Sequence, residues 1–431
     1  MKNFEHSTIE YGPQLEQTML TSGLDYYKPN MSFVAFEQEP NAEVTFTFHN
    51  RGEQRLLDYV DIDSLQERLN QIQQKGFNDE EINYLRNRIL NNGDPLYSEE
   101  YVKFIATNRL PDVNVHYDQE IDDIAIETTG PWALTTFWET VVMSELNEAY
   151  FEGYMRKNNL DPFDVYDEAD RRLTEKIEKL KANPNVKFAD FGTRRHFSTR
   201  WHKHVIERVL TECPENFVGT SNVGLAQTLD IKPIGTFAHE MPMVFAGLAD
   251  ARGEDIRASH NKLLQVWFDT FGKDLSIALT DTFGTDFFFS DFTPEQAKIW
   301  NGTRQDSGDP YIYGHKAFDY YNEVGVNPKE KQVVFSDGLD IDPMIELQNH
   351  FDEMFNVLFG LGTKLTNDTI LKALNIVMKA TDIKIIGTNL EAKLVKVSDD
   401  EGKHTGPEEL VNEYIDKIFK VVTKENLNEY V

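Results

Sequence analysis

Polar and ionisable side chains stand at the ends of short apolar runs in the second half of this 431-residue chain. The runs are VKFADFG, NFVGTSN, IGTFAHE, SIALTDTFG, IWNGTRQDSG, QVVFSDG and NVLFGLGT. The side chains at or just beyond their ends are Asp190, Arg194, Ser221, His239, Asp281, Arg304, Asp306 and Asp337. Each of them alone is equally well explained by a helix cap or a surface ion pair. Because the ends of parallel strands converge, the set as a whole predicts a site in which these groups meet each other or a ligand.

The segment 187–206 is cationic in an otherwise acidic chain. Its charged residues are the cations Lys187, Arg194, Arg195, Arg200 and Lys203 and a single acid, Asp190. A cationic strand-to-helix turn favours an anion held by arginine forks and helix N-terminal amides, although a solvated helix face is the alternative. The segment also holds His196, His202 and His204, with no carboxylate or cysteine at metal-ligand spacing. We therefore predict an anion site here rather than a metal site.

The stretch FGLGTKLTND, at 359–368, is rich in glycine. It is neither a Walker A motif nor a dinucleotide-binding fingerprint, because the third glycine is missing and the lysine comes too soon. At a strand end, Gly360, Gly362 and Thr363 would form a nest of backbone N–H groups suited to one phosphate, with Lys364 beside it. A glycine-rich turn without a ligand is the alternative. Its place in the last strand unit, where barrels often bind phosphate, favours the phosphate site.

Composition limits the functions that are possible. The chain has 43 Lys and Arg against 73 Asp and Glu, a formal net charge of −30, and such a surface repels nucleic acids and acidic membrane faces. The single cysteine, Cys213, excludes an intrachain disulfide and a cysteine-based zinc site, as is typical of a reducing cytosol. The start, MKNFEH, has no apolar leader, and no stretch approaches the roughly 18 apolar residues of a membrane span. We predict a cytoplasmic protein with no nucleic-acid or membrane partner.

Helical and strand-like patterns alternate along the first half of the chain. Apolar spacing predicts helices near 64–76, 80–91 and 98–109. Strict alternation and β-branched residues predict strands at 44–50 and within 113–132. Two long amphipathic helices are expected to follow, between residue 133 and residue 182. Mixed elements of this kind indicate an α+β layer.

From residue 186 onward, an apolar run, a polar turn and a helix recur through the seven runs quoted above. This rhythm is typical of parallel strands buried on both faces, and its regularity favours an α/β barrel over the alternative, a doubly wound sheet. After about residue 370, the strand-like NIVMKATDI and AKLVKVSDD are expected to return to the first domain. We predict an α/β fold with an α+β domain of residues 1–130 and 370–431 and an α/β barrel of residues 131–369.

Six motifs occur in one order and at one spacing: DFGTRRHFS (190–198), FVGTSN (217–222), GTFAHE (235–240), GTRQDSGDP (302–310), VVFSDGLD (333–340) and FGLGTKLTND. Together they closely resemble bacterial nicotinate phosphoribosyltransferases, which are type II phosphoribosyltransferases. The resemblance continues in LDYYKPNM (24–31), TGPWALTTFWETVVMSELNEAYF (129–151) and KVSDDEGKHTG (396–406). It therefore covers nearly the whole chain.

The resemblance implies an irregular seven-stranded α/β barrel plus an α+β domain, working as a homodimer with shared active sites. It implies that nicotinate and phosphoribosyl pyrophosphate give nicotinate mononucleotide and pyrophosphate, coupled to hydrolysis of ATP, as the first step of NAD salvage from nicotinate. Mg²⁺ is implied as the ion that accompanies the pyrophosphate. Asp306 and Asp337 are the residues expected near this ion, near the ribose hydroxyls or near the developing positive charge.

The resemblance and the chemistry assign roles to the other candidates. Arg194, Arg304, Lys364 and Lys403 are expected to bind anionic groups. Phe191, together with Tyr27 of the partner subunit, is implied to hold the pyridine ring. Either aromatic is equally well a core residue, since most buried aromatics only pack.

Two assignments decide what kind of enzyme is implied. His239 is implied to be phosphorylated by ATP, with Asp281 accepting the other ring N–H, although a histidine ending an apolar run is otherwise a core residue. Ser221 stands where nicotinamide-using relatives carry an acid, and its hydroxyl suits a carboxylate. The alternative for Ser221 is a cap of the helix that starts near Val223.

Three other functions remain open from the sequence. The nearest is nicotinamide phosphoribosyltransferase, similar in fold but with an uncharged base. A barrel isomerase or aldolase acting on a sugar phosphate is a second, although none of the seven runs ends in the Schiff-base lysine or glutamate base that such sites need. The third is a non-catalytic, acidic metabolite-binding protein. Release of pyrophosphate on adding nicotinate separates the last class from the enzymes.

Overall fold

The structure is a computed structural model that describes residues 20–400 and 402–419. Within these residues the chain forms eleven strands and seventeen α-helices. The strands are β1 (Ala42–Asn50), β2 (Val113–Asp118), β3 (Asp123–Pro131), β4 (Phe188–Asp190), β5 (Phe217–Thr220), β6 (Ile277–Leu279), β7 (Gly302–Gln305), β8 (Gln332–Phe335), β9 (Asn356–Leu361), β10 (Ile376–Ile385) and β11 (Glu391–Lys393). The helices are α1 (Tyr27–Gln38), α2 (Ile62–Lys75), α3 (Asp79–Arg86), α4 (Glu99–Thr107), α5 (Trp132–Thr135), α6 (Trp138–Lys157), α7 (Pro162–Ala182), α8 (Thr199–Glu212), α9 (Val223–Thr228), α10 (Glu240–Arg252), α11 (Ile256–Phe271), α12 (Thr285–Asp291), α13 (Pro294–Ile299), α14 (Pro310–Glu323), α15 (Ile341–Phe351), α16 (Thr363–Thr366) and α17 (Glu408–Phe419).

One sheet is antiparallel and joins distant parts of the chain, in the order β11-β10-β1-β3-β2. In β1 the alternation predicted from the sequence is confirmed, because Val44, Phe46 and Phe48 are buried while the residues between them are partly exposed. The predicted helices α2, α3 and α4 are also confirmed, each starting at a capping side chain. Strand β10 pairs with β1 along its whole length, so it returns to the N-terminal strands. The second strand-like run, AKLVKVSDD, forms only the short β11 and then leaves the sheet.

The other sheet is parallel, in the order β5-β4-β9-β8-β7-β6. Six of the seven predicted runs form its strands in the described residues, so the predicted seven-stranded barrel is not confirmed. The run IGTFAHE is not a strand. Its segment bonds to β5 at Thr220 alone, in an isolated bridge with Pro233, which has no amide hydrogen to extend a ladder. It reaches β6 through a side chain, with Thr236 Oγ1 donating to the carbonyl of Ile277 at 3.0 Å.

The helices between the parallel strands start where the sequence supplies caps. Ser198 caps α8, and Asp309 caps α14, which has proline at its first position. Asn222 caps α9 by accepting from the amide of Leu225, so the alternative cap assigned to Ser221 is wrong. Among the described residues, no helix combines the length and the apolar character needed to cross a bilayer.

Candidate active site

A cavity of about 1280 Å³ lies between the two sheets. Its wall includes residues from the ends of the parallel strands and from β10 of the antiparallel sheet. The predicted site residues on this wall are Tyr27, Phe191, Arg194, Ser221, His239, Arg304, Asp306, Asp337, Gly360, Gly362, Thr363, Lys364 and Lys403. Asp281 is not on the wall and is completely buried. The structure thus brings together side chains that lie up to several hundred positions apart in the sequence.

His239 lies directly before α10 and is held by contacts at both ring nitrogens. Nδ1 lies 3.0 Å from Thr282 Oγ1, and Nε2 lies 2.9 Å from Lys396 Nζ and 3.2 Å from Asp306 Oδ2. Burial lowers the pKa of His239, and the neighbouring Lys396 lowers it further, although Asp281 and Asp306 oppose this. A mainly neutral imidazole whose Nε2 faces two charged groups at a cavity wall is suited to nucleophilic chemistry.

The predicted hydrogen bond between His239 and Asp281 is absent from the structure. The Asp281 Oδ2 atom lies 3.8 Å from His239 Nε2, which is beyond hydrogen-bond distance. That oxygen instead accepts from Ser307 Oγ at 2.6 Å and lies 3.4 Å from Lys396 Nζ. The orienting partner of the ring is therefore Thr282, the next residue along the chain, and Asp281 acts through Lys396.

Arg304 lies near the end of β7, and Asp306 is the first residue after that strand. Burial by itself raises the pKa of Asp306, but Arg304, His239 and Lys396 outweigh burial and lower it, so the carboxylate is ionised. Asp306 Oδ1 also accepts from Ser336 Oγ at 3.0 Å. Arg304 donates to the carbonyl of Phe237 at 3.3 Å, while its Nε is buried with no hydrogen-bond partner in the described residues. An unsatisfied guanidinium N–H at a cavity wall is suited to an anion.

Phe191 and Tyr27 both line the cavity, and both belong to this chain. A Cβ at Gly360 would lie 2.3 Å from the Phe191 ring, so this glycine makes room for the ring. Gly360 lies near the end of β9 and pairs with Ala189 of β4, and its part in a phosphate-binding nest stays a prediction. Tyr27 starts α1, and its hydroxyl is buried without a partner in the described residues. Tyr27 thus lines a cavity of its own chain, and the supply of this ring by a partner subunit stays a prediction.

Ser221, Asp25 and Arg194 meet in one corner of the cavity. Ser221 Oγ donates to Asp25 Oδ1 at 2.6 Å. Burial raises the pKa of Asp25, and Arg194 partly offsets this. Arg194 Nη1 lies 3.6 Å from Glu139 Oε1, and although burial lowers the pKa of this arginine, Tyr27, Glu139 and Asp25 raise it overall. The corner thus contains one cation that is permanently charged and one carboxyl group whose pKa is raised by burial.

A fully buried lysine connects the two ends of the cavity wall. Lys28 Nζ forms ion pairs with Glu139 and with Glu240, the latter at 2.6 Å. Glu240 also accepts from Trp132 Nε1 at 2.6 Å. Lys28 follows Tyr27, and Glu240 follows His239, so this ion pair fixes the distance between the aromatic corner and the histidine. Removing one partner of such a buried pair would leave an uncompensated charge.

Cations in or beside the antiparallel sheet, which the sequence pattern did not predict, also line the cavity: Lys379 lies in β10, Arg51 follows β1 and Lys396 follows β11. Arg195, from the cationic segment 187–206, lines the same cavity. Burial and the neighbouring Arg51 and Lys396 lower the pKa of Lys379 to about 7. Burial and Arg194 lower the pKa of Arg195 to about 10. Buried cations that repel one another are typical of a site built for an anion.

Asp337 and Lys403 face each other at the outer end of the wall. Lys403 Nζ lies 3.2 Å from both carboxylate oxygens of Asp337 and also contacts Asp400 at 2.6 Å. In the described part of the chain, no group of three or more His, Cys, Asp or Glu side chains is placed to hold a metal ion. Lys403 pairs with the carboxylate of Asp337, and the role of Asp306 and Asp337 toward Mg²⁺ stays a prediction.

Comparison with known proteins identifies the family. The model of the nicotinate phosphoribosyltransferase (NAPRTase) family matches residues 186–429, and the model of its N-terminal domain matches residues 23–147. The chain belongs to the nicotinate phosphoribosyltransferase family. It is 36% identical over 408 residues to the nicotinate phosphoribosyltransferase of Chromobacterium violaceum, covering 92% of this chain and 96% of that protein. It is 34% identical over 420 residues to that of Acinetobacter baumannii, covering 94% and 97%.

Solved structures of the same family share the fold. The nicotinate phosphoribosyltransferase of Porphyromonas gingivalis superposes with a TM-score of 0.82 at 27% identity, covering 92% of this chain and 98% of that chain. That of Vibrio cholerae superposes with a TM-score of 0.81 at 28% identity, covering 94% and 95%. The resemblance found in the sequence motifs is thus confirmed over nearly the whole chain.

Several residues of the cavity wall could not be singled out from the sequence pattern. Lys396 and Asp25 lie inside motifs that carried the resemblance, so the motifs themselves contained a signal for them. Lys379 and Arg51 had no such signal, because they lie in or beside ordinary alternating strands, β10 and β1. Only the packing of the two sheets shows that they face the cavity.

Proposed function

We propose that this chain forms nicotinate mononucleotide and pyrophosphate from nicotinate and phosphoribosyl pyrophosphate, coupled to the hydrolysis of ATP to ADP and phosphate. The observation that carries the proposal is one cavity that combines the aromatic residues Phe191 and Tyr27, a cationic wall and the held imidazole of His239. Membership of the nicotinate phosphoribosyltransferase family supports the same reaction.

The residues of the cavity fit the charge changes of this transfer. The ring nitrogen of nicotinate forms a bond to C1 of the ribose, while the bond from C1 to pyrophosphate breaks and its electron pair leaves with the pyrophosphate. Arg304, Lys379 and Lys403 are placed to neutralise the departing anion. The ionised carboxylate of Asp306 stabilises the positive charge that develops on the ribose. Holding both reactants in one cavity supplies further acceleration by orientation.

The aromatic corner favours nicotinate over nicotinamide. The carboxylate of nicotinate needs a cation, and Arg194 provides it. Ser221 adds no charge to this corner, because its hydroxyl is neutral and donates its proton to Asp25. Burial raises the pKa of Asp25, which reduces its repulsion of this carboxylate. The named relatives are nicotinate enzymes, which is a second reason to prefer the charged base.

We assign the coupling to ATP to His239. Its Nε2 attacks the terminal phosphorus of ATP, the bond to ADP breaks, and the phosphorylated ring is later hydrolysed. Lys396, at 2.9 Å from Nε2, neutralises the transferred phosphoryl group, and Thr282 holds the other ring nitrogen. The phosphoryl group would add negative charge beside Asp306, so it changes the field in the cavity during the cycle.

Magnesium enters this proposal with phosphoribosyl pyrophosphate, as part of the substrate, and Asp306 and Asp337 lie on the wall that this substrate would face. The backbone of Gly362 and Thr363, with Lys364, is the proposed contact of the ribose phosphate. The two-fold dimer and the cytoplasmic location that the resemblance implies stay predictions.

An assay of pyrophosphate release tests the proposed function. The protein is supplied with phosphoribosyl pyrophosphate, Mg²⁺ and ATP, and nicotinate is expected to start the release of pyrophosphate together with formation of the mononucleotide. Nicotinamide at the same concentration is expected to give much less. Arg304→Ala is expected to lose at least about tenfold in kcat/KM at an unchanged melting temperature, because a charge-assisted hydrogen bond contributes about 1.5–3 kcal/mol. Failure of nicotinate to start the release would refute the proposal.

A further inference from the structure

Four buried side chains form one hydrogen-bonded chain behind the cavity wall. His202 Nε2 lies 2.7 Å from Asp190 Oδ2, and His202 Nδ1 lies 3.2 Å from His196 Nδ1. His196 Nε2 in turn lies 2.9 Å from Ser144 Oγ. The exposed fraction of each of the four residues is 1% or less, and none of them lines the cavity. The chain runs from the end of β4 through α8 and the turn before it to α6.

The direction of the bond at Asp190 follows from its chemistry. The oxygens of Asp190 accept from their other partners, so we take Nε2 of His202 as the donor in this bond as well. The same carboxylate accepts from Thr220 Oγ1 at 2.6 Å and from the amide of Gly192 at 2.8 Å. Burial and the neighbouring His202 lower the pKa of His196 well below its ordinary value, so the ring of His196 is neutral. Both ring nitrogens of His196 and both of His202 have a hydrogen-bond partner.

At Asp190 the hydrogen-bonded chain reaches the turn that carries two residues of the cavity wall, Phe191 and Arg194. The bond from Asp190 to the amide of Gly192 closes this turn, and the amide of Phe191 donates to the carbonyl of Leu361 at 2.9 Å. The carbonyl of Asp190 also accepts from the amide of Ser221 at 2.8 Å. The Asp190 carboxylate itself bonds to the amide of Gly192, between Phe191 and Arg194, and to Thr220, beside Ser221, so it ties together the two strand ends that carry the aromatic corner.

We propose that His202 is a positioning residue for the base site: it holds the Asp190 carboxylate, which in turn holds the turn bearing Phe191 and Arg194. This inference rests on the proposed function, in which that corner binds nicotinate. His202 does not touch the cavity, so it takes no part in bond making or breaking. Its removal is therefore expected to weaken binding of the base more than turnover.

Steady-state kinetics and equilibrium binding of nicotinate to the full-length protein test the proposal. His202→Leu removes the donor, and we expect the KM and the dissociation constant for nicotinate to rise at least tenfold while kcat falls less than threefold. His202→Gln keeps an N–H at the corresponding position and is expected to restore both constants to within about threefold of the wild type. Ser144→Ala, at the far end of the chain, is a mild change expected to fold and to raise the KM for nicotinate at least threefold.

His204→Leu is the matched control. His204 lies on the same helix and its Nε2 bonds to Asp170 at 2.7 Å, away from the cavity, so its loss is expected to leave the KM for nicotinate unchanged. Wild-type constants in either His202→Leu or Ser144→Ala overturn the proposal, as does an equal loss in His202→Leu and His202→Gln. Phe191→Ala is measured in parallel. If Phe191→Ala does not weaken nicotinate binding, the proposed base site itself has failed and the positioning role fails with it. If Phe191→Ala weakens binding and the chain variants do not, only the positioning role is wrong.

Discussion

At the scale of single residues, the contacts of His239 fit the nucleophilic role that we propose for it. Its ring is held at Nδ1 by a neutral hydroxyl and is approached at Nε2 by a lysine and a carboxylate. The lysine suits the transferred phosphoryl group, whereas the carboxylate suits a ring that still carries its proton. Lys396 therefore favours the phosphorylated state of His239, whereas Asp306 favours the state before phosphorylation.

The first prediction concerns phosphorylation of this residue. Incubation with ATP labelled in the terminal phosphate is expected to give acid-labile, base-stable label, and His239→Ala is expected to abolish it. The variant is expected to form the mononucleotide slowly without ATP, because the transfer to nicotinate does not pass through the histidine. His204→Ala, whose ring lies away from the cavity, should keep the label. Label that persists on His239→Ala would contradict the assignment.

A second residue-scale prediction concerns the choice of base. Ser221→Asp places a carboxylate beside Asp25, whose Oδ1 now lies 2.6 Å from Ser221 Oγ. The new carboxylate would face the carboxylate of nicotinate, and two like charges 4 Å apart repel by about 4 kcal/mol at an effective dielectric constant of about 20, so kcat/KM for nicotinate is expected to fall at least about 100-fold. Because Asn222 and not Ser221 caps α9, a loss of capping does not complicate the result.

Ser221→Ala is the control for this change, since it removes the hydroxyl without adding charge. It is expected to lose about tenfold or less, as for a single hydrogen bond. Both variants are assayed with nicotinate and with nicotinamide. An aspartate variant that uses nicotinate at the wild-type rate would show that Ser221 does not face the base.

At the scale of elements, β10 contributes Lys379 to the same cavity wall as the ends of the parallel strands. Lys379 lies on this strand, and burial together with Arg51 and Lys396 lowers its pKa to about 7. Above pH 7 the free protein therefore holds Lys379 mainly neutral, although the unfolded chain would keep it charged. A bound anion favours the charged form, so binding above pH 7 is coupled to uptake of a proton, and affinity falls as the pH rises through this value.

Calorimetry with pyrophosphate tests this third prediction. Titrations at pH 8 in two buffers of different ionisation enthalpy give the number of protons taken up on binding. The wild type is expected to take up about one proton more than Lys379→Met, and the affinity of the variant should depend less on pH between 6 and 8. Lys384→Met is the matched control, since Lys384 is an exposed residue of the same strand. Equal proton uptake in the wild type and Lys379→Met would contradict the shifted pKa.

At the scale of the whole molecule, the cavity is built from the two sheets of one chain. Tyr27 lines this cavity from α1 of the same chain, and the ion pair of Lys28 with Glu240 joins α1 to α10. We therefore expect each chain to be catalytically complete, whether or not two chains associate.

Complementation tests this fourth prediction. Tyr27→Ala and Phe191→Ala are each expected to lose activity, and mixing the two variants should restore none, since one chain supplies both rings of a site. In a dimer with shared sites, mixed subunits would recover some intact sites. Sedimentation of the wild type at assay concentration gives the oligomeric state that accompanies the result. Recovery of activity on mixing would contradict the single-chain site.

The sequence by itself determined which strand-end residues meet. Arg304 and Asp306 could be predicted because a parallel strand exposes its polar end at the same edge as its neighbours, a consequence of local pattern and chain direction. His239 was predicted by the same argument, although its run IGTFAHE is not a strand. The order of the motifs was sufficient to indicate the family, since ordered motifs over a whole chain rarely arise by chance. The helices α2 to α4 and the strand β1 followed from periodicity alone.

The tertiary structure alone decided the rest. Asp281 was expected beside His239, but a shift of one residue along the chain gives that position to Thr282, because neighbouring residues point in different directions. Lys379 and Arg51 became wall residues only when one sheet packed against the other, and the run IGTFAHE bonded to both sheet edges without becoming a strand. The hydrogen-bonded chain from Asp190 through His202 to Ser144 likewise forms only when β4, α8 and α6 pack together. Local sequence sets the period and direction of an element, whereas the partner of each side chain depends on how buried surfaces from distant segments pack together.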